Sequence, residues 1–481
     1  MQMVKELLEF VIDTRLAGKD NVKSGIPFHL QKQHATLIVM WGDKSHSILK
    51  PEDYSDSDAM ASVHEYPEPG EYTISIYVEP PYSWSDVYIS SLDCQDAMFT
   101  FGPSLFNKKT ECMRYFKQTL VEIPAPLPRL KGTIQYTLAN PDIDCNGIRL
   151  NENFSFLFIH CSSLKKIHPK LFLNNKHSIS FSYCFYNCNN LEGISSELFK
   201  GCSTVLSYSY CFFGCYALKS VPDDLFMDSY KAQGFKGVFK DCLSLQTIPE
   251  SLFFGSCSAE LFSEAFQNCV SLKNIPEKLF SRCPNVIGFS STFENCISIN
   301  SVPERLFKWC PRVIHFRSTF SKSGLKTVPQ MLFKDKKFVS SYSYVFSWCD
   351  LEFVPGNLFQ DSIYATDFSG CFYGCNHLRG VGKELFANAI YAKRFSHCFY
   401  GCKNLKKATI EISSRTVDTA YLFIEKKEDA EITVVAQRLS STAKMFTLKS
   451  EKLGITVEEK SFVKATLRAL WESILKIMRH D

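Results

Sequence analysis

The sequence predicts an α/β solenoid, preceded by a small all-β domain and followed by a helix. Three observations carry that reading: a fixed period, residue types that return in fixed columns, and an internal doubling of each period. FSEAFQNCVSLKNIPEKLFSRC (Phe262 to Cys283) returns 27 residues later as FSSTFENCISINSVPERLFKWC (Phe289 to Cys310). The cysteine of the F-x-x-C step falls at Cys161, Cys188, Cys215, Cys242, Cys269 and Cys296 at this interval. Ser323 takes the next place, and Cys349, Cys375 and Cys402 follow at spacings of 26, 26 and 27. The Leu-Phe pair keeps the same beat from Phe172 to Phe386, so ten coils of 26–27 residues can be counted.

Each coil reads as two half-units of 13 and 14 residues, because Val286, Phe289, Phe293 and Cys296 are echoed by Ile299, Val302, Phe307 and Cys310. Each half is expected to be a short extended run followed by a tight helical turn. Proline opens most Leu-Phe turns (Pro222, Pro249, Pro276, Pro303, Pro329, Pro355), where its fixed φ suits the first helical position. A unit this small cannot bury its aromatic face alone, and stacking gives each column a like neighbour above and below.

In chain order, residues 1–85 lie outside the repeat. LEFVIDT, IPFHL, ATLIVMW and YTISIYV are short β-branched and aromatic runs separated by Gly, Pro and Asp, and they predict a small antiparallel β domain. Residues 86–150 carry degenerate repeat text, such as FGPSLF and RYFKQTLVEIP, expected to cap the stack, with PAPLPRLKG as a loop. Residues 151–408 are the regular coils. From Lys406 the repeat decays into TIEI, AYLFI and EITVVA, read as closing strands within a 409–481 cap. In SFVKATLRALWESILKIMRH (Ser461 to His480), Phe462, Leu467, Leu470, Trp471, Ile474, Leu475 and Met478 recur at helical spacing. That segment predicts a helix that either caps the solenoid or docks into another subunit.

Composition excludes several classes. Of 481 residues 45% are hydrophobic and 22% charged, with a net charge of +4, so nothing points to nucleic acid or another electrostatic partner. No apolar run approaches the ~20 residues of a membrane span. No basic region, apolar core and cleavage site open the chain, so the expectation is a protein that stays in the cell that makes it or leaves by another route. Of the 17 cysteines from Cys161 onward, nine fill the main column. Four sit four residues earlier (Cys184, Cys211, Cys371, Cys398), where other coils have Val, Ala or Thr. The last four (Cys202, Cys257, Cys283, Cys310) follow the Leu-Phe pair. Exchange with small residues predicts reduced, space-filling thiols rather than disulfides or metal ligands.

FSYCFYNCNNLEGISSELF (Phe181 to Phe199), FSGCFYGCNHLRGVGKELF (Phe368 to Phe386) and FSHCFYGCKNL (Phe395 to Leu405) are similar to the coils of BspA-like leucine-rich-repeat proteins. VMWGD (Val39 to Asp43) and HEYPEPGEYTISI (His64 to Ile76) resemble the PKD-type immunoglobulin-like module, with Lys44 in place of the usual glycine, and this resemblance implies an all-β sandwich over residues 1–85. These resemblances imply a non-enzymatic surface or adhesion protein of the kind found on bacterial cells and in bacteriophage particles. They bring no catalytic residues and no cofactor.

No H-E-x-x-H, G-x-S-x-G, Walker A or G-x-G-x-x-G run is present. A binding face is therefore sought in the variable L-x-x-I step, where Lys219, Gln246, Lys273, Asn300, Lys326, Phe353 and Arg379 form a candidate ladder. Phe353, Trp309 and Trp348 are the aromatic exceptions; the repeat gives them no inward or outward sign, and exposed aromatics near one another would mark a contact patch. The reading that follows is a bacteriophage virion protein assembled in the bacterial cytoplasm, either structural or receptor-contacting. Its partners would be other virion proteins or a host-cell surface protein or glycan, and it could oligomerise through the N-terminal domain or C-terminal helix. A bacterial cell-surface adhesin is the alternative.

Overall fold

In LEFVID every second residue is apolar, and the strand β1 (Leu8–Asp13) buries Leu8, Phe10 and Ile12 while Glu9, Val11 and Asp13 stay partly open. The computed structural model describes residues 7–16, 23–25, 35–50, 63–82, 119–128, 154–155, 157–412, 422, 431–436 and 456–459. They belong to two compact units, Met1–Leu261 with Asn268–Ser271, and Phe262–Gln267 with Leu272–Asp481.

In the first unit, β1 is joined by β2 (Lys23–Gly25), β3 (Leu37–Met40), β4 (His46–Leu49), β5 (Val63–Glu65), β6 (Glu71–Val78), β7 (Leu120–Ile123) and β8 (Lys166–Ile167). One sheet runs β4-β3-β6-β1-β7-β8, and β2 pairs with β5 separately. The pairs from β4 through β7 are antiparallel, whereas β7 and β8 are parallel, with Ile123 opposite Ile167. The degenerate text LVEI thus takes the register place of the first regular L-x-x-I step. It also receives that coil's amides, Lys165 N–H donating to Val121 O at 2.9 Å.

The coils differ from expectation in their turns. From residue 157 to 412 no helix forms, and the helical turns predicted for each half-coil are tight turns closed by i→i+3 bonds. Cys184 N–H donates to Phe181 O at 3.1 Å and Cys188 N–H to Phe185 O at 3.1 Å. The third residue of each, Tyr183 (φ 58°) and Asn187 (φ 56°), is left-handed, which stops a helix after one turn. The amides between these bonds point along the stack: Phe181, Tyr183, Phe185 and Asn187 donate to Ser207, Ser209, Cys211 and Phe213 of the next coil at 2.7–3.0 Å. In the second unit Ser291, Phe293 and Asn295 donate in the same way to Arg317, Thr319 and Ser321. Buried amides are thus spent within the turn or on the neighbouring coil, so strand-like order needs almost no regular strand. The predicted C-terminal helix, Ser461 to His480, lies outside the described residues.

Aromatic rings fill the interior in parallel files. Phe158, Phe185, Phe212 and Phe239 stack at 5.4–5.5 Å in the first unit, and Phe293, Phe320, Phe346, Phe372 and Phe399 at 5.4–5.8 Å in the second. The main cysteine column does more than fill space. Cys188, Cys215, Cys242 and Cys269 donate Sγ–H to the carbonyls of Phe158, Phe185, Phe212 and Phe239 at 3.1–3.4 Å. In the second unit Cys296, Cys349, Cys375 and Cys402 donate to Phe266, Phe320, Phe346 and Phe372 at 3.0–3.1 Å. The earlier column shares this role, since Thr292 and Thr319 donate to Phe262 and Phe289 at 2.9 Å. One assignment is corrected: Ser256, not Cys257, takes the buried place after its Leu-Phe pair, and Cys257 is exposed one residue further on.

The 26-residue spacings have a local cause. Cys-x-x-Leu corners shorten to Ser323-Gly324-Leu325 and Cys349-Asp350-Leu351, yet Leu325 and Leu351 stay fully buried. Gly324 fits because a Cβ there would lie 2.3 Å from the Ile297 carbonyl oxygen. The second unit ends in a parallel sheet ordered β13-β12-β11-β10-β9, built from β9 (Phe353–Val354), β10 (Gly380–Val381), β11 (Lys407–Ile412), β12 (Glu431–Ala436) and β13 (Thr456–Glu459). TIEI and EITVVA are two of these strands. Of AYLFI only Leu422, buried, is described. Among the described residues no helix is long and apolar enough to cross a membrane.

Candidate functional site

The seven candidate-ladder residues are all exposed. Their backbones stack as the L-x-x-I register demands: Gln246 N–H donates to Lys219 O at 2.9 Å in the first unit, and in the second Lys326 donates to Asn300 at 3.2 Å. The next rungs are Glu352 on Lys326 and Arg379 on Glu352, at 3.1 and 2.9 Å. Phe353 therefore sits one column over from the others, opposite Thr327 and Gly380. The ladder mixes Lys, Asn, Gln, Glu and Arg, and it defines no common chemistry.

Surface aromatics cluster more sharply, in the coils spanning residues 338–400. Phe338, Tyr364 and Tyr391 form a file five residues after the Leu-Phe pair, with centroids 6.1 and 5.5 Å apart and 63%, 49% and 51% of each residue exposed. Earlier coils carry Ser258, Asn285 and Arg312 there.

On the left-handed turns of the same coils lie Tyr344, Trp348, Tyr373, His397 and Tyr400. Tyr373 is parallel to Tyr400 at 5.1 Å and edge-on to Trp348 at 5.4 Å. Tyr344 lies over Gly370 and Trp348 over Gly374, where a Cβ would come within 2.3 and 2.6 Å of those rings. Trp348 is half-exposed even though its φ is 59°, a region bulky residues avoid. Trp309, by contrast, is half-buried, with Lys308 Nζ 5.7 Å from the ring centre.

Nucleophile chemistry finds little support in the geometry. Burial pushes the Cys188, Cys215 and Cys242 thiols well above their usual range, and Cys349 up to about 12, so they stay protonated. Lys336 is buried where other coils have Ser, Cys or Ala, and burial lowers its pKa. In the N-terminal sheet, Asp43, Ser45 and His64 converge. Asp43 Oδ2 lies 2.8 Å from His64 Nε2, and Ser45 Oγ lies 3.4 Å from the same nitrogen. A proton relay needs serine and carboxylate on opposite ring nitrogens, so this arrangement locks the W-G-D turn instead. Burial pushes the Asp43 carboxyl up, but hydrogen bonds from Ser45 and His64 outweigh it and hold the group at about 2. Among the described residues no group of three or more His, Cys, Asp or Glu could hold a metal ion.

Sequence reasoning looked for the binding face in the L-x-x-I step and, of the two aromatic files, singled out only Trp348. The signal was present: the columns themselves are regular, and an aromatic residue in a column that nearby coils fill with Ser, Asn, Glu or Arg stands out once the register is fixed.

No family model matches the chain, and no curated protein matches it. Among solved structures it is similar to Toll in its complex with Spätzle from Drosophila, at 14% identity over 62% of this chain and 43% of that one, with a TM-score of 0.27. It is also similar to a leucine-rich cell-surface protein from Faecalibacterium prausnitzii, at 13% identity over 63% of this chain and 85% of that one (TM-score 0.16). TLR13 bound to ssRNA13 aligns at 12% identity over 69% and 65% of the two chains, with a TM-score of 0.15. The chain thus spans under half of the Toll chain. At such TM-scores these likenesses carry no weight for the site, and the repeat solenoid rests on the coil-to-coil bonds described above.

Proposed function

We propose that this chain is a non-enzymatic binding scaffold, a BspA-like leucine-rich-repeat protein with a PKD-like N-terminal module, that serves as a structural or receptor-contacting part of a bacteriophage particle. The observation that carries the scaffold reading is the gathering of partly exposed aromatics on the outer columns, with Phe338, Tyr364 and Tyr391 in one file and Trp348, Tyr373 and Tyr400 in another. Exposed aromatic clusters on a rigid frame are what contact surfaces are made of. The phage reading draws on the similarity to BspA-like coils and on the thiols: sixteen of the seventeen described are buried and no disulfide joins any two of them, which suits assembly in a reducing cytoplasm. Its partners would be other virion proteins and a host-surface protein or glycan, with self-association through the N-terminal module or the C-terminal segment.

The same burial favours a second reading, a bacterial cell-surface adhesin, because thiols sealed behind neighbouring coils survive oxidising surroundings. Mass spectrometry of purified particles, set beside protease shaving of intact cells, decides between them. Peptides in the particles support the first reading and peptides released by shaving the second. Detection in neither fraction sinks both.

A further inference from the structure

The left-handed turn face of coils 344–401 is chemically unlike the same face of the earlier coils in the second unit, because it bears no formal charge. Its three successive turns read Ser343-Tyr344-Val345-Phe346-Ser347-Trp348, Ser369-Gly370-Cys371-Phe372-Tyr373-Gly374 and Ser396-His397-Cys398-Phe399-Tyr400-Gly401. The matching turns before them carry Glu264, Gln267, Glu294, Arg317 and Lys322. Aromatic turns recur in the first unit, but there two rings are covered by cations, Lys236 Nζ 5.7 Å from the centre of Tyr210 and Lys240 Nζ 5.9 Å from that of Phe213. Beside the strip at 344–401, Arg394 Nε lies 3.6 Å from Asp367 Oδ2 and His377 Nδ1 lies 3.3 Å from Asp350 Oδ1.

Within the strip, the hydroxyls of Tyr344, Tyr373 and Tyr400 and the indole N–H of Trp348 make no hydrogen bond to the described residues. Gly374 and Gly401 carry no side chain, which lets the Trp348 ring pack over Gly374 and meet Tyr373 at 66°. Amphipathic rings and unspent donors match a ligand that is itself amphipathic, hydroxylated and uncharged.

We infer that this strip is a binding site for a neutral oligosaccharide, laid along the stack with its C–H faces on Trp348 and Tyr373 and its hydroxyls on the tyrosine and indole donors. A polyanion is disfavoured by the same feature, because the turns themselves carry no charge to answer it. The inference rests on the scaffold reading above and narrows its partner.

The test is a panel of short neutral hexose and N-acetylhexosamine oligomers, with sialylated and sulfated oligomers as anionic controls, titrated into the full chain and followed by tryptophan fluorescence and calorimetry. Binding to neutral members that is insensitive to salt is expected, with affinity falling roughly tenfold or more in Trp348→Asn and in Tyr373→Ala, equivalent to about 1.4 kcal/mol. Trp348→Asn is chosen because Asn295 already occupies the corresponding left-handed position, so the fold is kept. The inference is overturned by no binding across the panel, by binding confined to anionic members and lost in salt, or by affinity unchanged in both variants. Any of those results leaves the scaffold reading standing, because detection in particles or on cells is measured separately.

Discussion

Two stretches of the second unit, residues 262–267 with 272–321 and residues 338–400, are built alike inside and unlike outside. Both stack phenylalanines at about the same distance, Phe293 on Phe320 at 5.8 Å and Phe346 on Phe372 at 5.8 Å. Both hang a buried thiol on the preceding coil's carbonyl, Cys296 on Phe266 at 3.1 Å and Cys375 on Phe346 at 3.0 Å. On the surface, the first stretch shows Glu264, Gln267, Glu294 and Arg312 where the second shows Tyr344, Tyr373 and Tyr364. The difference teaches that in this repeat the interior columns specify the fold and leave the outer columns free, so function has to be sought where an outer column departs from its own habit.

The largest effects should be identical in the two stretches. Phe293→Ala and Phe372→Ala each remove a fully buried ring and are expected to cost about 3–5 kcal/mol. Urea denaturation that found one of them tolerated would break the claim of a common interior.

A smaller effect separates the stretches. Gly374 has φ 72° and a Cβ there would lie 2.6 Å from the Trp348 ring, so Gly374→Ala should cost about 2 kcal/mol. In a Trp348→Asn background the clash disappears and about half of that cost should remain, which a double-mutant cycle measures. Additive effects would mean that ring and glycine are not in contact.

Cys371→Thr should change stability by less than about 1 kcal/mol, because Thr292 and Thr319 already fill that column and donate to the preceding coil. A loss comparable with that of the phenylalanine variants would show that sulfur, not the donor, is what the column requires.

The smallest effect lies at the boundary coil. Burial lowers the Lys336 pKa below its ordinary 10.5, so between the two values the unfolded chain binds more protons than the folded one, and stability rises with pH there. Below the lowered pKa the penalty is complete. Lys336→Ser should unfold later than the parent chain at neutral pH and lose this slope, which urea midpoints at neutral and alkaline pH will report. A steeper slope in the variant would reverse the assignment.

Most of the fold was legible because the register was. Recurring phenylalanine, leucine and cysteine fixed which residues are buried, and Phe262, Phe289 and Phe316 are all inside. The turns were misjudged because F-x-x-C has the spacing of a helical turn. The residue that forbids the helix is Tyr183, Ser291 or Glu264, types with no visible left-handed preference, whereas Asn187 and Gly214 at the second turn do show one. Cys257 was misplaced by a single residue because a cysteine next to the true column draws the eye from Ser256. Of the aromatic strip only Trp348 stands out in the sequence, because spacing alone does not say which side of a turn faces out.

The shortened corner at Gly324 carries a structural implication. One vertex of the coil can drop a residue while the leucine beyond it stays buried and the alternate amides still find the next coil's carbonyls. Such a vertex sets the length of a coil to within one residue, while buried Ser323 and Leu325 on either side hold it against the preceding coil and leave no room for a longer insertion.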